Sequence, residues 1–86
     1  MDKLISRIEN NIEFLSEQVH NAWMEEKIKQ GFHAPNDCPN KQALGKFERH
    51  CDKCHTDLYP YSELPENIKD YDRVTVRSVL EAIKKL

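Results

Sequence analysis

The sequence predicts a small, mainly α-helical domain: two long packed helices, a short helical turn, and an irregular or zinc-stapled middle segment with at most short strands. Three observations support this fold class. Apolar residues recur at steps of three and four near both ends of the chain, few apolar residues occupy the middle, and all three cysteines lie there. The chain has 86 residues, the length of one small domain, so we assign residues 1–86 to a single domain.

Residues 2–30 are predicted to form one long amphipathic helix. Asp2 could cap its start, and Gly31 is a suitable end because glycine readily adopts the left-handed conformation that follows many helices. The apolar positions recur at helical steps and would form one stripe along the helix: Leu4, Ile5, Ile8, Ile12, Leu15, Val19, Ala22 and Trp23.

Residues 73–85 are predicted to form the second long helix, with Asp72 as its N-cap. Just before it, Pro65 can open a short helical turn that runs toward Ile68. The apolar face of the last helix would pack against the first helix and comprises Val76, Val79, Leu80, Ile83 and Leu86.

The middle segment, residues 32–58, is predicted to be mostly irregular. It has few apolar residues, so it should not pack by itself and needs something else to hold it. Asn40 could cap a short helix that carries Leu44 and Phe47.

Short strands are expected only around residues 32–34 and 57–61. In the second of these, Tyr59 and Tyr61 flank Pro60, and an extended backbone would point the two rings to opposite sides. One ring could then line a groove between the helices while the other faces water.

The composition is that of a soluble globular protein, with 38% hydrophobic and 33% charged residues and a formal net charge of −2. No basic field is available to bind a phosphate backbone, so nucleic acid is not an expected partner. No apolar run approaches a membrane span, and the N-terminus does not resemble a signal peptide. We therefore expect a cytoplasmic protein whose cysteines are reduced.

The string Cys51-Asp52-Lys53-Cys54-His55 fits the attachment signature of c-type haem. We reject haem because charged residues flank the motif and because haem is normally attached outside the cytoplasm. A structural zinc site fits better, since a Cys-x-x-Cys turn lets two thiolates reach one ion. The chain supplies two more ligands upstream, His33 and Cys38.

The predicted metal ligands are thus His33, Cys38, Cys51 and Cys54, with His50 and His55 as rival choices for the histidine. A zinc site with four protein ligands is closed and therefore structural. The alternative is a surface loop that carries three reduced cysteines and binds no metal.

Two longer stretches, "HNAWMEEKIKQGF" and "YPYSELPENIKDYDRVTV", resemble the RyR domain, a repeat named from ryanodine receptors and also found in small bacterial and phage proteins. The resemblance covers about residues 15–86. It rests on His20, Trp23, Lys27, Gly31 and Phe32 in the first stretch, and on His55, Pro60, Tyr61, Leu64, Pro65, Tyr71, Asp72 and Arg73 around the second.

The chain departs from the family pattern at two of these points. Phe32 replaces the more usual tryptophan, and Thr56 follows the histidine where proline is common. The cysteine-bearing stretch also departs from the shorter linker of the receptor repeats. Because His55 belongs to the family pattern, the resemblance favours His33 as the histidine ligand.

The resemblance implies a non-catalytic helical module, and nucleotide binding has been associated with such repeats. We therefore expect a sensor for a nucleotide-like anionic ligand, bound by Trp23, Lys27, His55, Tyr61, Tyr71 and Arg73. The alternative is a protein-interaction module, for example a homodimer, with a structural zinc site and no small-molecule ligand. We do not expect an enzyme: a hydrolase that used His55 and a carboxylate such as Glu48 would lack a recognisable nucleophile or an open metal site.

Three of these residues also have a structural interpretation. Trp23 lies on the apolar stripe and could belong to the core. Arg73 could pair with Asp70 or Asp72, and His20 is more simply a hydrogen-bonded structural histidine than a ligand contact.

Overall fold

The computed structural model describes residues 2–39 and 48–86, and this part of the chain contains three α-helices. Helix α1 spans Asp2–Glu9, α2 spans Ile12–Lys29, and α3 spans Glu66–Lys84. The 3₁₀ turns Pro35–Asp37 and Tyr61–Glu63 lie in the connection between α2 and α3. The predicted mainly α-helical class, with a short helical turn and an irregular middle, is confirmed.

The predicted helix capped by Asn40, with Leu44 and Phe47, lies outside the described residues. None of the helices in the described part of the chain is both long enough and apolar enough to cross a membrane.

The single helix predicted over residues 2–30 is in fact two helices, separated at Asn10 and Asn11. Asparagine side chains compete with the backbone for hydrogen bonds and therefore favour helix ends. Here the Asn11 side chain donates to the Arg7 carbonyl at 2.6 Å. The backbone N–H of Leu15 then donates to the Asn11 carbonyl at 2.9 Å and starts α2. The end of the helix is confirmed, because Gly31 has a φ of +91°.

The last helix begins at Glu66, directly after Pro65, and not at residue 73. The backbone N–H groups of Ile68 and Lys69 both donate to the Pro65 carbonyl at 3.0 Å. The short turn predicted at Pro65 is therefore the first turn of α3 itself. Asp72 lies inside this helix and is not its N-cap.

Extended pairing within the described residues is limited to one isolated parallel bridge between His33 and Cys54. The strand predicted over residues 57–61 does not form, because the chain turns after Pro60 into a 3₁₀ helix. As a result the alternation of an extended strand does not apply, and Tyr59 and Tyr61 are both buried. The prediction that one of these rings faces water is wrong.

The core lies where α2, α3 and the connecting segment meet. Between the long helices, Val76 and Leu80 of α3 are buried, as are Ser16 and His20 of α2. A second cluster of buried residues consists of Ala34, Leu58, Tyr59, Tyr61 and Leu64, and the partly buried Trp23, Met24, Phe32 and Ile68 pack against it. The helices therefore pack against part of the connecting segment. The rest of this segment is held by contacts within the segment itself.

Not every predicted core position is buried. Val79 and Leu86, from the predicted face of the last helix, are 56% and 92% exposed. Helix α1 has no buried residue, although its apolar residues follow a helical period.

Candidate metal centre and ligand groove

Four side chains of the connecting segment form one cluster, which we call the metal cluster: His33, Cys38, Cys51 and Cys54. One potential ligand atom from each residue lies within 4.8 Å of the other three. Cys38 and Cys54 are buried, and His33 and Cys51 are half-buried. These are the four residues that the sequence predicts as metal ligands, and the structure shows that together they could hold a metal ion.

Several spacings within the cluster are close to those around a tetrahedral ion. With metal–sulfur bonds of about 2.3 Å and a metal–nitrogen bond of about 2.0–2.1 Å, two thiolates lie about 3.8 Å apart and a thiolate and an imidazole nitrogen about 3.5 Å. The Sγ atoms of Cys51 and Cys54 are 3.7 Å apart, and those of Cys38 and Cys51 are 3.6 Å apart. His33 Nε2 lies 3.5 Å from Cys54 Sγ. A disulfide would require about 2.0 Å, so the three cysteines are not disulfide-bonded and each offers a thiol as a potential ligand.

Backbone hydrogen bonds bring the two halves of the cluster together. The His33 N–H donates to the Lys53 carbonyl at 2.9 Å, and the His55 N–H donates back to the His33 carbonyl at 3.0 Å. Cys38 follows the first 3₁₀ turn, where its N–H bonds to the Pro35 carbonyl. The ligands therefore belong to two segments that are already paired.

The surroundings of Cys54 favour the thiolate form that metal binding requires. Burial alone would raise the pKa of this thiol, but hydrogen bonds from the His50 and Cys51 backbone and from the Cys38 thiol lower it to about 6. The His50 N–H lies 3.4 Å from Cys54 Sγ. His50 thus supports the cluster through its backbone, whereas the imidazole within the cluster is that of His33.

A second site lies beside the metal cluster and is lined mainly by the two long helices. We call it the aromatic groove. It has a volume of about 290 Å³, close to the lower end of the range for ligand pockets. Its lining residues are His20, Trp23, His55, Asp57, Ile68, Tyr71, Asp72 and Thr75. The groove thus unites three of the predicted ligand-binding residues.

Aromatic contacts fix the shape of the groove. The His55 ring meets Trp23 edge-on, with 4.7 Å between ring centroids. The His20 ring stacks on Trp23 at 5.5 Å. Tyr71 is 70% exposed, so its ring is the open aromatic surface of the groove.

His20 is a structural histidine, as predicted. Its Nε2 lies 2.7 Å from the Tyr59 carbonyl and therefore donates to it, while Nδ1 lies 3.4 Å from the Asp72 carboxylate. Burial raises the pKa of the Asp72 carboxyl, and the adjacent His20 opposes that rise. Both ring nitrogens of His20 are thus engaged inside the protein.

His55 also lines a smaller site, which we call the basic cleft because Arg49 lines it and two lysines contact its Phe32 ring. It has a volume of about 200 Å³ and is lined by Phe32, Arg49, Cys54, His55 and Thr56. Above the Phe32 ring lie the ammonium groups of Lys27 and Lys53, at 5.1 and 4.7 Å from the centroid.

His55 lines both sites. Its pKa is lowered, first by burial and further by the positive charges of Lys27 and Arg49, whereas Asp57 acts in the opposite direction. The aromatic groove thus surrounds His55 with acidic and aromatic residues, and the basic cleft places Arg49 near it.

Tyr61 and Arg73 line neither site, although Trp23 packs against the core cluster that contains Tyr61. The Arg73 guanidinium binds three carboxylates: Glu13 across the helix pair, and Asp70 and Glu66 on its own helix at 2.8 and 2.9 Å. These hydrogen bonds raise the pKa of Arg73. The Tyr61 hydroxyl also donates to Glu13, at 2.9 Å. Arg73 thus joins α3 to α2 and is not open to a ligand anion.

Replacing this guanidinium should cost stability and leave ligand binding unchanged. We expect Arg73→Ala to lower the free energy of unfolding, because the guanidinium joins α3 to α2 through its hydrogen bonds with Glu13. Urea unfolding of Arg73→Ala and of the exposed control Arg77→Ala would measure this. A normal stability together with weakened nucleotide binding would contradict the structural role.

The same variant should also lose an acid-dependent part of its stability. The hydrogen bond from Arg73 lowers the pKa of Glu13 below its ordinary value of 4.5. The stabilisation is therefore complete above about pH 4.5 and is lost as the pH falls through the lower, folded-state pKa of Glu13. The difference in the free energy of unfolding between wild type and Arg73→Ala should accordingly become smaller in acid.

The sequence did not identify Asp57, Ile68 or Thr75 as groove residues. A usable signal existed, because Ile68, Tyr71, Asp72 and Thr75 are spaced at three or four residues and share one face of a helix. The prediction missed this face because it placed the start of the helix at residue 73, after three of these four residues.

Comparisons with known proteins agree with the resemblance noted above. The family model of the RyR domain matches residues 2–86, which is almost the whole chain. A comparison with curated proteins found no match.

Proposed function

Because this chain belongs to the RyR domain family, we propose that it is a non-catalytic module that binds a nucleotide-like anionic ligand and acts as a sensor of it. The observation that carries the proposal is the pair of sites that His55 lines. The aromatic groove offers rings and carboxylates, and the basic cleft offers cations. A ligand with a planar base and a phosphate group would match both sites at once.

The base would occupy the aromatic groove. Tyr71 offers an exposed ring on which a base can stack, and Trp23 borders the same space. The Asp57 and Asp72 carboxylates can accept hydrogen bonds from ring or exocyclic N–H groups of a base. These acidic groups would repel a phosphate, so the groove itself suits only the uncharged part of the ligand.

The phosphates would lie in the basic cleft. Lys27, Lys53 and Arg49 supply positive charge around Phe32 and His55. Of the six predicted ligand-binding residues, Trp23, Lys27, His55 and Tyr71 keep that role in the proposal. Tyr61 and Arg73 take structural roles because Glu13 holds both.

We propose zinc as the ion of the metal cluster, since three thiolates and one imidazole are a donor set of structural zinc sites. Four protein ligands would close the tetrahedron and leave no position for a substrate. Cysteines that stay reduced at such a site are typical of a reducing compartment, so we place the protein in the cytoplasm. The engagement of both His20 nitrogens removes one candidate general base and supports a non-catalytic role.

Titrations with ADP, adenosine and pyrophosphate would test the proposal, with the fluorescence of the single tryptophan, Trp23, as the readout. We expect ADP to bind more tightly than either fragment, because only ADP reaches both sites. Tyr71→Ala should weaken ADP and adenosine binding about 5- to 10-fold, the lower end for a lost base–aromatic stack. Lys53→Ala should weaken ADP and pyrophosphate binding by about 1 kcal/mol, roughly fivefold.

Two matched variants serve as controls. Val74→Ala removes another exposed residue of α3 outside the groove, and Lys29→Ala removes a lysine outside the cleft; neither should change the affinities. Absence of ADP binding by the folded, zinc-loaded protein would overturn the proposed function.

A second candidate function is protein interaction, and a specific observation favours it. An almost entirely apolar cavity of about 280 Å³ lies between the helices, lined by Ile8, Leu15, Gln18, Val19, Thr75, Val76 and Val79. Val79 is 56% exposed there. If this face joins two copies, sedimentation should give a dimer mass that Val79→Glu returns to the monomer. A monomer at all concentrations would leave only the ligand-binding role.

A further inference from the structure

From the contacts between the metal cluster and His55, we infer that the bound metal ion controls the affinity of the aromatic groove for its ligand. This inference rests on the proposed function and extends it from binding to regulation. The helices fix the position of one half of the groove, and the position of the other half depends on the metal cluster.

The fixed half comes from α2 and α3. His20 and Trp23 lie on α2, and Ile68, Tyr71, Asp72 and Thr75 lie on α3. The His20–Asp72 contact at 3.4 Å ties the two helices together in the groove wall. The four predicted metal ligands lie outside both helices, so this half should persist without metal.

The other half consists of His55 and Asp57, which lie on the connecting segment. His55 follows the ligand Cys54 directly, and its N–H donates to the carbonyl of the ligand His33 at 3.0 Å. The Asp57 N–H in turn donates to His55 Nδ1 at 3.2 Å. The metal cluster therefore positions His55, and His55 in turn positions Asp57.

Few other contacts hold this half in place. The His55 ring contacts Trp23 of α2, and the N–H of Leu58, the next core residue, bonds to the His55 carbonyl at 3.2 Å. Within the described residues, the bridge between His33 and Cys54 is the only extended pairing. Because residues 48–57 add no member to the buried hydrophobic cluster, the ion should supply much of their order, as in other small metal-stapled domains.

The structure also provides a reporter that needs no nucleotide. The His55 ring lies edge-on to Trp23, with 4.7 Å between centroids. If metal binding positions His55, zinc added to metal-free protein should change the Trp23 emission. Hydrogen exchange should slow at residues 55–58 and remain unchanged through the middle of α2 and α3.

The decisive experiment measures ADP affinity with and without zinc, and zinc affinity with and without ADP. We expect ADP to bind the zinc-loaded protein about 10-fold more tightly, within the usual range of coupling between two sites. By linkage, ADP must then tighten zinc binding by the same factor. Cys38→Ser removes a ligand on the segment that does not carry His55, and it should reproduce the metal-free affinity.

The outcomes separate this inference from the proposed function. Equal ADP affinities in the zinc-loaded and metal-free proteins would overturn the inference and leave the proposed function standing. If ADP bound neither form, the proposed function would fail. If zinc changed neither the Trp23 emission nor the hydrogen-exchange pattern, the inference that the metal positions His55 would be overturned. Failure of zinc to bind would also overturn this inference.

Discussion

We expect removal of the proposed zinc ion to produce a large loss of stability. We expect the purified protein to carry about one zinc per chain, and chelation to lower its melting temperature by at least about 15 °C. A site held at 1,000 times its dissociation constant contributes about 4 kcal/mol to folding, and each 1 kcal/mol shifts the midpoint of a domain this small by about 4–8 °C. Calorimetry with and without a chelator measures the shift.

The Cys51→Ser variant is the matched control for this prediction. It lacks one thiolate of the metal cluster, so its melting temperature should already be low and a chelator should not lower it further. Residues 33–38 and 51–58 should lose protection against hydrogen exchange before the helices do. Metal-free protein of unchanged stability and fully reactive thiols would leave only the surface-loop alternative.

Truncation of Tyr61 should also have a large effect, because Tyr61 belongs to the core and not to the ligand site. Its ring is 6% exposed and packs with Ala34, Leu58 and Leu64. We expect Tyr61→Ala to lower the free energy of unfolding by about 3–5 kcal/mol, as for other buried aromatic residues. Chemical unfolding of the zinc-loaded variant would measure this loss.

Tyr61→Phe separates packing from hydrogen bonding. It keeps the ring and removes only the hydroxyl that donates to the solvated Glu13, so the loss should be about 1 kcal/mol. Its affinity for ADP should equal that of the wild type. A clear loss of ADP binding at normal stability would return Tyr61 to the list of ligand-binding residues.

The metal cluster could be predicted from the sequence because its chemistry restricts the choice of residues. Three cysteines and a histidine within a segment of few apolar residues have few reasons to occur together, and a Cys-x-x-Cys turn fixes two of the ligands locally. The choice of His33 over His50 and His55 needed the family resemblance. The structure agrees, since His33 Nε2 lies 3.3 Å from Cys51 Sγ.

Helix boundaries were less predictable than the helices themselves. Apolar periodicity continues across Asn10 and Asn11, so it gave no sign of the break that their side chains and backbone produce. At the other end of the chain, Asp72 is of a residue type that favours N-caps, but it lies within a helix that begins directly after Pro65. The local preference of aspartate therefore predicted a helix start that the longer helix does not have.

The groove could be predicted only in part, because its residues meet through tertiary contacts. Trp23, His55 and Tyr71 were identified by the resemblance, and they do line one cavity. Arg73 was assigned to a ligand because it belongs to the resemblance and a guanidinium suits an anion. The sequence analysis also named Asp70, which is one of its partners, but Glu13 lies on the other helix, and nothing in the local sequence links it to Arg73.

Mapping of ADP binding by NMR on the ¹⁵N-labelled, zinc-loaded protein tests the central claim most directly. The account predicts that the largest backbone shifts fall on both sides of His55, at Asp57 and Tyr71 in the aromatic groove and at Lys53 near the basic cleft. Shifts confined to the apolar face around Val19 and Val79, or no shifts at all, would contradict the account.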